Sequence, residues 1–248
     1  VIVIKYNRIF DKLEQYHQIK NELPEISTSS YRQAFELEYT HNSTAIEGNT
    51  LTLLETKVVL EEGLSVGGKH LRELYEVINH NKAYQYVKKC IAEGLVLNEN
   101  IIKDIHSILM ENIMAGGIYR NVDVYISGAD HTPPSPSDMY TQIKNFYMDL
   151  NDKIFESPIE SAAWTHAEFV KIHPFVDGNG RTSRLIMNYQ LMANGFLPIS
   201  IKKESRLEYF NALEAYAVNN DLYFFENMIA ILEEEQLDRY LSMFRNEI

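Results

Sequence analysis

An all-α fold carrying one small β-hairpin is the class this sequence predicts, on three observations. Apolar residues recur at spacings of three and four along most of the 248 residues, the period of a helix with one buried face. The 7 prolines and 11 glycines gather in a few places and leave long uninterrupted stretches between them. One interval, 116–136, departs from the helical period and alternates instead.

The elements follow in order. A first helix runs from about residue 3 to 21 and ends before Pro24. "STSS" then supplies caps for a second, with Ser30 and Gln33 fitting a capping box and Ala34, Phe35, Leu37 and Ala45 on or near one apolar stripe. That helix should stop at Gly48. Thr52 with Glu55 makes another capping box, so a helix begins just after "EGNT". Helices are expected over about 67–92 and 99–113, the latter with Ile101, Ile105 and Ile108 along one side. In "NVDVYIS", Val122, Val124 and Ile126 alternate with Asp123, Tyr125 and Ser127, so the stretch reads as a short strand with a turn at Gly128. "HTPPSPSD" continues neither a helix nor a central strand, because prolines lack amide donors. The pair reads as an exposed hairpin-like flap. Helices resume near Asp138 and near Pro158, where a first-turn proline costs little. The latter runs toward His173. Another starts inside "GNGRTSR", continues through Leu185, Ile186, Tyr189 and Met192, and ends at Asn194-Gly195. Two more are expected around 203–217 and 221–243. No tandem repeat or long linker divides the chain.

Composition bounds the function. With 45% hydrophobic residues the chain can bury a sizeable core without disulfides or metals. The formal charge of -12 argues against a nucleic-acid binder, though a local basic pocket for a small phosphate compound fits within it. Cys90 is the single cysteine and reads as a quiet buried thiol, so no disulfide forms within the chain. No apolar run approaches the roughly 18 residues that span a bilayer. "VIVIKY" is too short for a signal peptide, and a cytoplasmic location is expected.

The chemistry concentrates in "HPFVDGNGRTSR", His173 to Arg184. Gly178 and Gly180 permit close backbone approach, and the amides entering the next helix point at whatever occupies its N-terminus, a setting for phosphate. Arg181 and Arg184, three apart, are poorly placed for the helix dipole unless an anion binds there. Asp177 would repel phosphate unless magnesium bridged the two. The imidazole of His173, with an unperturbed pKa of about 6.5, can take a proton from an attacking hydroxyl. Asn179 could hold charge developing on the attacked phosphate. Taken singly, each has a plain structural reading: a Gly-Asn-Gly turn, a capping aspartate, a structural histidine. Together they imply phosphoryl or nucleotidyl transfer.

The stretch resembles the signature of the Fic-domain family, His-x-Phe-x-Asp/Glu-Gly-Asn-Gly-Arg-x-x-Arg, without a mismatch. The resemblance extends over roughly residues 28–225, leaving an N-terminal arm at 1–27 and a C-terminal extension at 226–248. It implies the Fic fold and transfer of AMP from ATP to a protein Ser, Thr or Tyr hydroxyl, with Mg2+ as cofactor and Mn2+ as an alternative. By the same resemblance His173 is the general base, Asp177 the metal ligand and Phe175 a loop anchor. Gly178, Asn179 and Gly180 form the phosphate nest, and Arg181 and Arg184 meet the β and γ phosphates. The Gly-Asn-Gly form resembles the AMP-transferring branch more than the phosphate-transferring one.

"STAIEGN" places Ser43 and Glu47 four apart on one helical face, with Glu47 at the unfavourable end of the dipole. It resembles the family's inhibitory helix, here over about 30–48, which implies that Glu47 pairs with Arg184 and keeps the γ phosphate from docking. The flap resembles the family's target-positioning element, presenting a protein hydroxyl near His173. Tyr209 and Phe210 fall where relatives close the adenosine pocket, with core packing an equal alternative. Asn49 and Leu51 are weaker candidates for the same pocket. His106, His166 and Trp164 read as core or boundary residues. Autoinhibited AMP transfer leads; removal of AMP from a modified protein, nucleotide sensing without turnover, and a toxin controlled by a partner or homodimer remain open.

Overall fold

The computed structural model describes residues 6–23 and 25–244. These form ten α-helices: α1 (Asn7–Glu22), α2 (Glu25–Ile46), α3 (Leu53–Lys57), α4 (Leu71–Ala92), α5 (Glu99–Leu109), α6 (Pro136–Asp152), α7 (Pro158–Ile172), α8 (Asn179–Ala193), α9 (Arg206–Asn219) and α10 (Tyr223–Phe244). A π-helical turn, Val58–Glu62, extends α3, and a 3-10 turn, Lys203–Ser205, precedes α9.

The centre is the α7–α8 hairpin, whose connection carries His173 to Gly178. Phe169, Ile172, Phe175, Leu185, Ile186 and Met187 are completely buried there. Burying side chains of this size stabilises by roughly 1.5–3 kcal/mol each, which is what holds the loop's two stems in place. Helices α4 and α5 pack on α8, α10 and α9 on α7, and α2 on α4. Helix α1 lies along α10, with Ile9, Leu13, Leu237 and Leu241 buried and Lys12 donating to Glu234 and Asp238 at 2.8 Å each.

The caps explain most helix starts. Ser157 accepts from the Glu160 amide at 3.0 Å and Ser135 from the Asp138 amide at 3.3 Å, each followed by a first-position proline. Thr52 and Glu55 make the predicted reciprocal capping box. The box expected at Ser30 does not start a helix, because α2 is already under way at Glu25; Ser30 is an exposed mid-helix residue. Helix α4 begins at Leu71, beyond the Gly67-Gly68 turn, and α5 ends at Leu109, before Asn112 takes a φ of +60°. The expected start of α1 at residue 3 lies outside the described residues.

The β-hairpin flap is a correction. Among the described residues there is no strand, and 116–135 is an irregular loop. Alternation alone does not make a strand; a partner with free amides is needed, and the returning segment carries Pro133, Pro134 and Pro136. A side chain takes the partner's place: Arg120, buried to 1% exposure, donates to the carbonyls of Val122 (2.9 Å) and Pro134 (2.6 Å). The His131 amide goes to the Glu214 carboxylate at 2.7 Å.

Candidate active site

Helix α7 stops at His173, which adopts the left-handed conformation (φ 52°, ψ 59°) before Pro174. The His173 amide still closes onto the Phe169 carbonyl at 3.0 Å, while its own carbonyl accepts the Arg120 Nε–H at 2.8 Å. The Arg120 amide donates to the Pro174 carbonyl at 2.9 Å, so one residue ties the 116–135 loop to the turn. His173 Nδ1 lies 3.2 Å from the Val170 carbonyl. A carbonyl only accepts, so Nδ1 carries the proton and Nε2 the lone pair. Burial, outweighing that contact, lowers the pKa to about 4, and the ring is neutral at pH 7. His173 lines a cavity of about 310 Å³ together with Glu47, Gly180, Arg206, Tyr209 and Phe210.

The next residues are locked from several sides. Phe175 is completely buried and stacks on His106, ring centroids 3.6 Å apart. His106 Nδ1 accepts from the Gly117 amide at 2.8 Å, which leaves Nε2 to donate to the Asp177 carbonyl at 2.9 Å. Burial lowers this ring to a pKa of about 4, keeping it a single neutral tautomer. The Asn179 carboxamide accepts from the Phe175 amide at 2.9 Å and donates to the Phe175 carbonyl at 2.8 Å. Its side chain is thus committed to loop shape, leaving its backbone N–H for a ligand. Gly178 has a φ of +80°, and a Cβ there would lie 2.5 Å from the Met110 methyl, so only glycine fits. The first hydrogen bond of α8 runs from the Thr182 amide to the Gly178 carbonyl at 2.9 Å. The amides of Asn179, Gly180 and Arg181 therefore have no intrahelical acceptor.

The two arginines differ. Arg184, at 1% exposure, has a full set of partners: Ser43 Oγ at 2.9 Å, the Ser43 carbonyl at 2.7 Å, Glu47 Oε1 at 2.7 Å and the Tyr209 hydroxyl at 3.1 Å. Burial would lower its pKa, but Tyr209 and Glu47 overcome this and raise it. The Tyr209 hydroxyl in turn lies 2.9 Å from His166 Nε2. Arg181, at 2% exposure, reaches Asp177 Oδ1 at 3.2 Å and faces Glu76 Oε1 at 3.6 Å from Nη1, but its Nε and Nη1 make no hydrogen bond. Buried donors without partners are rare and call for an acceptor. The Glu47 carboxylate leans over the start of α8: a Cβ on Gly180 would lie 2.2 Å from Glu47 Oε1. A carboxylate thus occupies the positive end of the helix, where anions bind.

Asp177 is half-buried. Its Oδ1 accepts from the Gly178 amide and Arg181, and its Oδ2 from Arg72. Burial raises its pKa, yet Arg181, the Gly178 amide and Arg72 together hold it below the ordinary range. No group of three or more His, Cys, Asp or Glu among the described residues could hold a metal alone. A single carboxylate beside unpartnered guanidinium donors suits magnesium, which keeps waters and shares phosphate oxygens. The residues fit such an ion, provided that Arg72 gives way at Oδ2.

The expected site residues Ser43, Glu47, His173, Asp177, Gly178, Asn179, Gly180, Arg181, Arg184 and Tyr209 converge on the α7–α8 turn. Phe210 is 39% exposed at the cavity rim under Arg206, whose guanidinium carbon lies 5.2 Å from the ring centre. Asn49 instead holds α4, donating to the Glu73 carbonyl at 2.9 Å and Glu76 at 3.0 Å. Leu51 is buried in a separate small cluster with Val59, Leu74 and Val77. Sequence reading did not assign Arg72, Glu76, His106 or Arg120 to the site; each comes from a distant segment, and nothing local marks it.

The fold and this turn define a helical domain built around the α7–α8 loop. Residues 96–191 match the Fic/DOC family. The chain is 34% identical over 235 residues to the protein adenylyltransferase Fic of Drosophila persimilis and 35% identical over 235 residues to that of Drosophila mojavensis, covering 93% of this chain and 45% of each relative. It spans just under half the length of these curated relatives. Among solved structures, Fic-1 of C. elegans superposes with a TM-score of 0.80 at 30% identity, covering 94% of this chain and 71% of that one. A Fic-domain signalling protein of Bacteroides thetaiotaomicron shares the fold, with a TM-score of 0.86 at 24% identity and 97% coverage of both chains. The chain belongs to the Fic family.

Proposed function

We propose that the chain is an autoinhibited protein adenylyltransferase, moving AMP from ATP to a Ser, Thr or Tyr hydroxyl of a protein and releasing pyrophosphate. One observation carries this: a cavity holding a histidine with a free Nε2 lone pair is bordered by a helix N-terminus whose anion position is filled by Glu47, paired to Arg184 at 2.7 Å.

His173 Nε2 takes the proton of the acceptor hydroxyl as its oxygen bonds to the α phosphorus, and the bond from that phosphorus to the bridging oxygen of pyrophosphate breaks. The ring is neutral and so able to accept a proton, and an arriving polyanion offsets the burial that lowers its basicity. The amides of Asn179, Gly180 and Arg181 cradle phosphate oxygens. Arg181 directs its unpartnered donors to the β phosphate, and Arg184 receives the γ phosphate once Glu47 leaves. Asp177 would hold Mg2+, or Mn2+, which when bound neutralises charge on the phosphates. The Tyr209 ring and Phe210 wall the nucleoside end of the cavity.

Glu47 is the brake. Its carboxylate and a γ phosphate compete for one guanidinium, and like charges exclude each other there. The Drosophila relatives are protein adenylyltransferases, which agrees with this activity. A second reading, hydrolytic removal of AMP, is favoured by the position of Glu47: its side chain is 34% exposed and lines the same cavity as His173, where it can hold a water.

The test is labelling of protein from α-labelled ATP with magnesium. Glu47→Gly should label itself or lysate protein strongly, wild type weakly, and the double variant with His173→Ala not at all while still melting cooperatively. Equal labelling by wild type and Glu47→Gly removes the brake, and labelling that survives His173→Ala removes the base.

A further inference from the structure

Arg72 sits in the first turn of α4 and approaches the catalytic turn from outside it. Its Nη2 donates to Asp177 Oδ2, and its Nε donates to Glu76 Oε1 at 3.1 Å. The other aspartate oxygen, Oδ1, is taken by the Gly178 amide and Arg181. Glu76 also lies 3.6 Å from Arg181. Two guanidiniums and two carboxylates thus form a closed cluster of zero net charge around the proposed metal ligand. The Arg72 side chain is 56% exposed, whereas that of Arg181 is 2% exposed. Of the two cations on Asp177, one lies in the core and the other reaches it from the solvent side.

We infer that Arg72 competes with the divalent cation for Asp177 and sets the protein's metal requirement; the inference rests on the assignment of Asp177 as metal ligand. An incoming cation must take Oδ2, because Oδ1 is already used by backbone and core. Arg72 can surrender that oxygen at low cost, since it keeps its bond to Glu76 four residues along the same helix. Before the cation arrives, the guanidinium neutralises Asp177 and lessens its repulsion of phosphate. Metal-free nucleotide is thereby better tolerated, and the cation's own contribution to nucleotide affinity is reduced. Arg72 therefore acts through Asp177 as a positioning residue.

The experiment has two parts. ATP is titrated calorimetrically in EDTA and in excess Mg2+ against Glu47→Gly, alone and with Arg72→Ala, Arg72→Lys or Asp177→Asn. Mn2+ is also titrated without nucleotide against wild type, Arg72→Ala and Asp177→Asn, with the free ion read by electron paramagnetic resonance. Arg72→Ala should enlarge the factor by which Mg2+ tightens ATP about fivefold and tighten Mn2+ by a similar factor. Arg72→Lys should stay near the parent. Asp177→Asn should bring the Mg2+ factor close to one and abolish the Mn2+ site. Unchanged factors in Arg72→Ala, with Asp177→Asn behaving as stated, overturn the competition and leave the metal ligand standing. An unchanged factor in Asp177→Asn removes the ligand assignment itself. Failure of Arg72→Ala to bind Mn2+ any better than wild type counts against the inference even if ATP does not bind.

Discussion

Gly180→Ala places one methyl group where Glu47 now rests. The new carbon would lie 2.2 Å from Glu47 Oε1 and 3.1 Å from Arg184 Nη1. Ordinary contact begins at 3.4 Å, so the carboxylate must retreat by about 1 Å, enough to break its 2.7 Å bond to Arg184. A charge-assisted bond of this kind is worth about 1.5–3 kcal/mol when buried. Because Glu47 is 34% exposed, about 1–2 kcal/mol is the appropriate figure. Against that loss, alanine gains about 0.5–1 kcal/mol over glycine at a helical position. The single substitution should therefore leave stability nearly unchanged or lower it by about 1 kcal/mol. In a Glu47→Ala background the same methyl meets no carboxylate, and Gly180→Ala should stabilise by about 0.5–1 kcal/mol. Urea melts of the four proteins give the cycle directly, with an expected coupling of about 1–2 kcal/mol. Coupling below about 0.3 kcal/mol would refute the placement of the carboxylate over α8.

Two further predictions concern the buried histidines and Arg120. His173 and His106 have folded-state pKa values lowered to about 4, and those of His80 and His166 are lowered well below the ordinary value, all by burial. The unfolded chain binds protons that the fold refuses, so stability is complete above about pH 6.5 and falls as pH drops toward 4. For His173 and His106 the loss should reach about 1 kcal/mol each by pH 5.5; equal urea midpoints at pH 7.5 and 5.5 would contradict it. Arg120→Ala strips donors from three carbonyls, those of His173, Val122 and Pro134. It should cost about 3 kcal/mol and raise amide exchange across 118–135 more than elsewhere, and uniform exchange would count against it.

The helices were legible because burial of one face writes a 3.6-residue period into the chain, most plainly in α5, where Ile101, Ile102, Ile105 and Leu109 are buried. The candidate site was legible for a different reason: His173 to Arg184 are contiguous, so they could be read as a set before anything was folded. Helical spacing put Ser43 and Glu47 on one face, and the family resemblance alone pointed them at Arg184. What escaped notice arrives from far along the chain. Arg72 lies 105 residues from Asp177, His106 lies 71 from it, and Arg120 lies 53 from His173. Buried arginine and histidine look like any other polar residue until a fold supplies their acceptors. The flap was misread because alternation at Val122, Val124 and Ile126 describes which sides face outward, not whether another strand is there to pair with. Ser30 failed as a cap because the preceding turn was already helical.

Arg120 bears on how such a chain can diversify. The contour of the 116–135 segment is set by a guanidinium rooted beside the α7–α8 turn, so the residues it turns outward have little structural duty. Val122 is 50% and Tyr125 82% exposed. Those positions can be rewritten to suit whatever surface the segment must meet, while the machinery beneath keeps its shape.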